Sequence, residues 1–203
     1  MNEKLYLILI TGLPASGKTT IATHLVKDLS CQYIGKDQYK IELYDKYGFC
    51  SIEEKKILDA KSEEIMYSNL RSLLKQGKNV VLDKWICGDF SRIDSIAKAT
   101  NAKVITIYLV CNADIATRRY NNRIINDSRH IGLSLKNKYP FVKDESEFNY
   151  ALIEDMQKRS EFFKEKSFGD YRLEVSTNNI ENDNNIYKQI KEFIVNIIKG
   201  IGY

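Results

Sequence analysis

The eight residues Gly12-Leu-Pro-Ala-Ser-Gly-Lys-Thr19 constrain this chain more than any other segment. They match G-x-x-x-x-G-K-[ST] and lie between an apolar run at 5–10 and a stretch of helical spacing at 19–29. A short, continuously apolar run reads as a strand buried on both faces. In the stretch that follows, Ile21, Leu25 and Leu29 fall on one helical stripe. Glycines let a backbone curl its N–H groups around an anion, and a helix that starts there points its positive dipole end at the same spot. Strand, glycine loop and helix in that order predict a phosphate-binding loop of Gly12, Leu13, Pro14, Ala15, Ser16, Gly17, Lys18, Thr19 and Thr20. The alternative is a glycine turn with an incidental lysine. In the phosphate reading Lys18 reaches the terminal phosphates of a nucleotide, and the Thr19 hydroxyl ligates Mg²⁺.

The rest of the chain repeats the alternation of strand and helix. Residues 31–34 read as a short strand and 37–46 as a short helix that Asp37 is placed to cap. Ser51 and Glu54 form a capping box that opens a long helix at 52–76, with Gly77 as its stop. Ile57, Ile65, Leu70, Leu73 and Leu74 supply much of its apolar face. Further strands are expected at 79–82, 103–110 and 171–175, with helices at 91–99, 114–125, 148–166 and 185–198. Residues 126–145 read as polar and irregular. Buried strands separated by helices predict a five-stranded parallel sheet in a three-layer α/β/α fold.

With two prolines in 203 residues and no linker or repeat, one domain spanning 1–203 is expected. Cys31, Cys50, Cys87 and Cys111 are scattered, without a C-x-x-C pair, and read as reduced thiols of a cytoplasmic protein. The run at 5–10 falls far short of the ~20 apolar residues of a membrane helix. It also lacks the flanks of a signal peptide, so no membrane association is expected.

Two carboxylates stand where the sheet would end. Asp37 follows the second strand, whose carboxyl end shares an edge with the phosphate loop in a parallel sheet. It can orient an acceptor hydroxyl or take its proton, unless it only caps its helix. Asp83 closes the run at 79–82 and can hold a water of a Mg²⁺ shell or touch the acceptor, or be a plain strand-end residue. Just beyond it, Trp85 and Asp89 are candidates for the acceptor pocket. Tyr33, Tyr39, Tyr44 and Tyr47 are candidates for an aromatic wall, or for ordinary packing.

Charge becomes informative only when it is split. Lys and Arg total 31 against 27 acidic residues, a formal net charge of +4, and 23 of the 31 are Lys. Four of the eight arginines nevertheless fall within twelve residues: Arg118, Arg119, Arg123 and Arg129. Arg119 and Arg123 share a helix face, whereas Arg118 points elsewhere. Guanidinium forks suit phosphate contacts, so this segment reads as a lid over a nucleotide, or else as a solvated basic helix end. His130 reads as a loop residue with phosphate contact as the alternative, and His24 as a structural residue of its helix. An N-K-x-D guanine motif is missing, since Asn137-Lys138 continues as Tyr139-Pro140.

On these residues the chain resembles the P-loop kinase superfamily. Within it, the chain is similar to the small phosphotransferases around chloramphenicol phosphotransferase, zeta toxins and phage-type polynucleotide 5′-kinases, AAA-type ATP-binding kinase-like proteins. Gly12-Leu-Pro-Ala-Ser-Gly-Lys-Thr-Thr20 is close to the G-x-P-G-S-G-K-S-T form of that group, with Ala15 in place of its second glycine. The resemblance implies a P-loop kinase fold with a helical lid inserted at about 118–146. It puts Asp37 in the general-base position, Lys40 at the substrate, Arg119, Arg123 and Arg129 on the lid, and residues 176–179 at the adenine.

The expected function is an ATP- and Mg²⁺-dependent transfer of the γ-phosphate to a hydroxyl of a small molecule. Lys18, Asp37, Arg119, Arg123 and Arg129 would be catalytic. Asp37, Lys40 and Asp83 would meet the acceptor, and Thr19 with Asp83 the metal. A polynucleotide 5′-hydroxyl kinase is a second reading, which the small net charge disfavours because strand binding rests on many phosphate contacts. A third is an ATP-binding switch or toxin-system protein without turnover.

Overall fold

The computed structural model describes residues 4–86, 89–126, 128–140, 145–164, 168–179 and 184–201. Cys87 of the expected thiols and residues 127 and 141–144 of the expected lid lie outside them. β1 (Tyr6–Gly12) is buried along its whole length, as its unbroken apolar sequence requires. It is followed by α1 (Lys18–Leu29), β2 (Gln32–Gly35), α2 (Lys36–Tyr47), α3 (Ile52–Lys75), β3 (Val80–Asp83), α4 (Ser91–Thr100) and β4 (Lys103–Val110). Then come α5 (Ala113–Ile125), α6 (Ile131–Ser134), α7 (Ile153–Lys164), β5 (Tyr171–Ser176) and α8 (Asn184–Lys199). The five strands form one parallel sheet in the order β2-β3-β1-β4-β5.

Alternation along β1 divides the core into two layers. Ile8 and Ile10 pack with Ile21 and Leu25 of α1 and with Ile190 and Ile194 of α8. Leu7 and Leu9 face the other way, onto Met66 and Leu70 of α3 and Ile93 and Ile96 of α4. Each fully buried aliphatic side chain contributes about 1.5–3 kcal/mol, so these two layers hold the sheet as an α/β/α sandwich. A smaller cluster ties α6 to α2 and α3, with Leu133 and Leu135 among Leu43, Tyr44, Phe49 and Leu58.

Register then fixes what meets at the carboxyl edge. Asp83 pairs with Ile10 on one side and with Gly35 on the other. The phosphate loop, the start of α2 and Asp83 therefore emerge side by side.

Four expectations need correction. Asp37 does not cap α2: Gly35 occupies the N-cap, and Asp37 sits inside the first turn. The buried face of α3 is Leu58, Ser62, Met66, Leu70 and Leu74, an i, i+4 series, while Ile57 and Ile65 are exposed. The small Ser62 completes that series, turning its hydroxyl back onto the Asp59 carbonyl. The expected helix at 148–166 begins only at Ile153. The stretch at 126–145 contains α6, capped by His130, whose Nδ1 accepts the Gly132 N–H. The capping box of α3 is present, with Ser51 Oγ accepting the Glu54 N–H at 3.1 Å.

Candidate active site

The phosphate loop is built from conformations that few side chains tolerate. Gly12 has φ +149°, and a Cβ there would stand 2.4 Å from the Leu109 carbonyl oxygen. Gly17 has φ 93° and begins α1. Between them Ala15, where the resembled group has glycine, is left-handed at φ 61°. That conformation costs an L-residue about 1–2 kcal/mol, strain stored where the backbone wraps the ligand.

Lys18 folds back over the loop, its Nζ donating to the carbonyls of Gly12 (3.1 Å) and Leu13 (2.7 Å). Burial lowers its pKa, with Arg123 and Arg129 adding to the effect, while Asp83 and Asp37 oppose it. Ser16 Oγ is buried without a hydrogen-bond partner among the described residues. The first N–H groups of α1 have no intrahelical acceptor, as at every helix start. An orphaned hydroxyl, free amides and a lysine in one cradle fit the phosphates of ATP.

Thr19 and Asp83, the two residues expected at the metal, are joined directly. Thr19 Oγ1 donates to Asp83 Oδ2 at 2.6 Å. Asp83 is buried, and this raises its pKa against the pull of Lys18 and the Thr19 hydrogen bond. A hydroxyl and a carboxylate held together beside the phosphates fit a magnesium ion, a hard cation that prefers oxygen ligands.

Tyr33 joins the pair, its hydroxyl 3.2 Å from Asp83 Oδ2. Gly35 makes room for it, since a Cβ there would stand 2.2 Å from the Tyr33 oxygen. Tyr33→Phe should weaken Mg²⁺ binding by about 10-fold, the usual cost of losing a support behind a ligand. Half-saturating Mg²⁺ in a nucleotide-binding titration measures this. An unchanged value would show that Tyr33 is packing only.

Asp37 and Arg129 face each other across the same cleft, Arg129 Nη2 to Asp37 Oδ2 at 3.3 Å, with the Asp37 side chain 58% exposed. Arg129 also lies over the Tyr120 ring at 5.0 Å. Arg123 lines the small hollow beside Ala15, Gly17 and Thr20. Arg119, from one turn earlier, turns toward the loop after β5 and donates to the carbonyls of Thr177 (2.8 Å) and Asn178 (2.9 Å). Asn178 in turn accepts the Asn112 N–H. Arg119 thus fastens the loop after β5 and also lines the hollow with Arg123, while Arg123 and Arg129 both line the main cleft. Arg118 is exposed on the other face of α5.

The main cleft encloses about 1040 Å³ and brings together Lys18, Thr19, Asp37, Lys40, Asp83 and Trp85. Lys40 is tied to Asp59 at 2.8 Å. The four tyrosines do not form one wall: Tyr39 and Tyr44 are core residues, Tyr47 is exposed, and Tyr33 serves Asp83. Asp89 accepts the Ser91 N–H at the start of α4. His130 bonds Asp45 and caps α6, and His24 lies edge-on to Tyr187.

Several residues in or next to the cleft carry no local sequence signal. Glu63 of α3 accepts from Lys36 at 2.8 Å and from the buried Lys84, whose Nζ also reaches the Tyr67 hydroxyl. Burial would raise the Glu63 pKa, but the two lysines outweigh it and hold the carboxyl down to about 2. Lys55 donates to the Leu135 carbonyl, and burial brings its pKa down to about 8 against the pull of Asp59.

A parallel sheet with a lysine-bearing phosphate loop after its first strand, and a Thr–Asp pair at its edge, defines the P-loop kinase fold. A family model described as an AAA domain matches residues 8–138, and the chain belongs to that family. It is 24% identical over 194 residues to a cytidylate kinase of Saccharolobus islandicus (strain L.S.2.15 / Lassen #1), covering 94% of this chain and 92% of that protein. Among solved structures, a Chloroflexus aurantiacus protein described as a kinase superposes with a TM-score of 0.75 at 22% identity, covering 94% of this chain and 97% of that one. A gluconokinase from Sinorhizobium meliloti 1021 does so with a TM-score of 0.59 at 10% identity, covering 97% and 95%. Among the described residues no helix is long and apolar enough to cross a membrane.

Proposed function

We propose that this protein is an ATP- and Mg²⁺-dependent kinase that phosphorylates a hydroxyl of a small molecule. The observation that carries the reading is Asp37, an accessible carboxylate in the same cleft as Lys18, Thr19 and Asp83. Mg²⁺·ATP supplies the phosphoryl group and offsets its charge. Lys18 and the loop amides hold the phosphates, and Thr19 with Asp83 holds the metal. Asp37, oriented by Arg129, accepts the proton of the attacking hydroxyl. Arg123 faces the charge that spreads over the transferring group. Arg119 holds the loop at 176–179 against the base.

The expected lid at 118–146 enters this reading in altered form. Leu133 and Leu135 are packed with α2 and α3, so this part of the segment is anchored to the rest of the domain and is not a free flap.

A second reading, with a phosphate as the acceptor, draws on the cytidylate kinase likeness along nearly the whole chain. Offering γ-labelled ATP with hydroxylated acids, neutral polyols, cytidine monophosphate and a short 5′-hydroxyl oligonucleotide separates the possibilities. Label should appear on a small hydroxylated compound. Label only on the monophosphate would favour the second reading, and label only on the oligonucleotide would make this a polynucleotide kinase. ATP binding with no acceptor labelled would overturn the kinase assignment.

A further inference from the structure

Eight cationic side chains line the main cleft, namely Lys18, Lys36, Lys40, Lys55, Lys84, Arg123, Arg129 and Arg159, against the carboxylates of Asp37, Glu42, Asp59 and Asp83. A triphosphate with its Mg²⁺ offsets only part of that excess. Most of the cations are already engaged. Lys36 and Lys84 share Glu63, Lys40 holds Asp59, Arg129 holds Asp37, and Lys18 and Lys55 donate to backbone carbonyls.

Arg123 and Arg159 have no carboxylate partner among the described residues. Arg123 borders the hollow beside the phosphate loop, where the nucleotide accounts for it. Arg159 lines the main cleft and is not among the residues around that hollow. It reaches there from α7 as a half-buried side chain, and its guanidinium lies over the Trp85 ring, 4.8 Å from the centroid. Trp85 follows Asp83 by two residues, which brings this pair to the catalytic edge. The indole Nε1 is itself buried without an acceptor among the described residues.

A guanidinium stacked on an aromatic ring keeps its planar fork directed sideways, pre-organised for two parallel hydrogen bonds. Partly desolvated and without a counter-charge among the described residues, it is costly to maintain unless a ligand completes it. A carboxylate or a phosphate ester matches that fork.

We propose that Arg159, held on Trp85, binds an oxyanionic group of the acceptor, so that the substrate is a hydroxylated anion and not a neutral polyol. This rests on the kinase reading above and adds the acceptor's chemical class. Asp37 takes the reacting end of the acceptor, and Arg159 anchors its charged end.

The test compares matched acceptors with γ-labelled ATP: a neutral polyol, its carboxylate counterpart such as gluconate, and its phosphate ester. Wild type should label a charged member and leave the neutral one unlabelled. Whether the carboxylate or the ester is preferred identifies the anion. Arg159→Met should raise KM for that acceptor roughly 10- to 150-fold, the worth of a hydrogen bond to a charged group. KM for ATP should stay unchanged, the thermal midpoint of the ligand-free protein should not fall, and Arg159→Lys should recover part of the loss. Equal labelling of the neutral polyol, or a rise in KM for ATP in place of the acceptor, would overturn the proposal. If no compound is labelled, saturation-transfer NMR on the complex with Mg²⁺ and a non-hydrolysable ATP analogue still decides. Saturable binding of a charged member that Arg159→Met abolishes upholds the anion site while the kinase reading falls. Binding indifferent to Arg159 removes the anion site as well.

Discussion

Asp37→Asn should lower kcat toward a hydroxyl acceptor by about 10²- to 10⁴-fold, the range a positioned general base contributes. Asparagine keeps the size and the side-chain oxygen but cannot take a proton. KM for ATP should stay close to wild type, because Lys18, Thr19 and the loop amides do not depend on Asp37. Loss of the ion pair with Arg129 is a separate matter. With the carboxylate largely in water, that pair contributes about 0–1 kcal/mol, so the thermal midpoint should move by no more than about 2–4 °C. Purely structural roles would reverse the pattern, with a clear fall in stability and an intact turnover. A phosphate acceptor gives a third pattern: its oxygen is already ionised, no base is needed, and Asp37→Asn would transfer at nearly full rate. Steady-state kinetics and a melting curve on the same preparation separate all three. Full activity toward a hydroxyl with ATP bound would remove Asp37 from the base role.

The strength of that prediction follows from how the site is written in the chain. The phosphate loop and Thr19 are contiguous, and their chemistry needs a fixed spacing, so they are legible without a fold. Asp83 and Asp37 are legible one step later, because parallel strands end on one edge and the register brings Asp83 beside Ile10 and Gly35. Beyond that edge local signals fade. The buried face of α3 includes Ser62 and passes over Ile57, since its position is set by what packs on Leu7 and Leu9 and not by its most apolar residues. Arg119 and Arg123 share a helix face and both line the hollow beside the phosphate loop, yet only the fold shows that Arg119 also donates to the loop after β5. Arg159 and Trp85 are 74 residues apart, and only the path of α7 across the cleft joins them. The phosphate loop of a kinase is thus legible in the chain, whereas the contacts proposed to choose the acceptor exist only in the folded protein.

Lys18→Met is the change expected to separate function from stability most sharply. The Nζ sits over the carbonyls of Gly12 and Leu13, and burial lowers its pKa while Asp83 and Asp37 partly restore it. A lysine whose folded-state pKa lies below its unfolded value is carried at a cost while charged. Folding then becomes more favourable as pH rises from the folded pKa toward the unfolded one. Methionine keeps the apolar stem and removes that cost, so the nucleotide-free protein should melt at a higher temperature than wild type, and its stability should lose this alkaline rise. In the proposed function the same change removes the cation that meets the terminal phosphates. Transfer should fall by about 10²- to 10³-fold, as when one pre-organised donor is deleted from a transition state. Stabilisation by ATP should shrink as well, because it tracks the logarithm of nucleotide concentration over Kd. Melting curves with and without Mg²⁺·ATP, taken across alkaline pH, test both halves together. A lower nucleotide-free midpoint would mean that Lys18 holds the loop together through its carbonyl contacts, and the burial account would be wrong. An undiminished ATP shift would mean that the phosphates lie elsewhere.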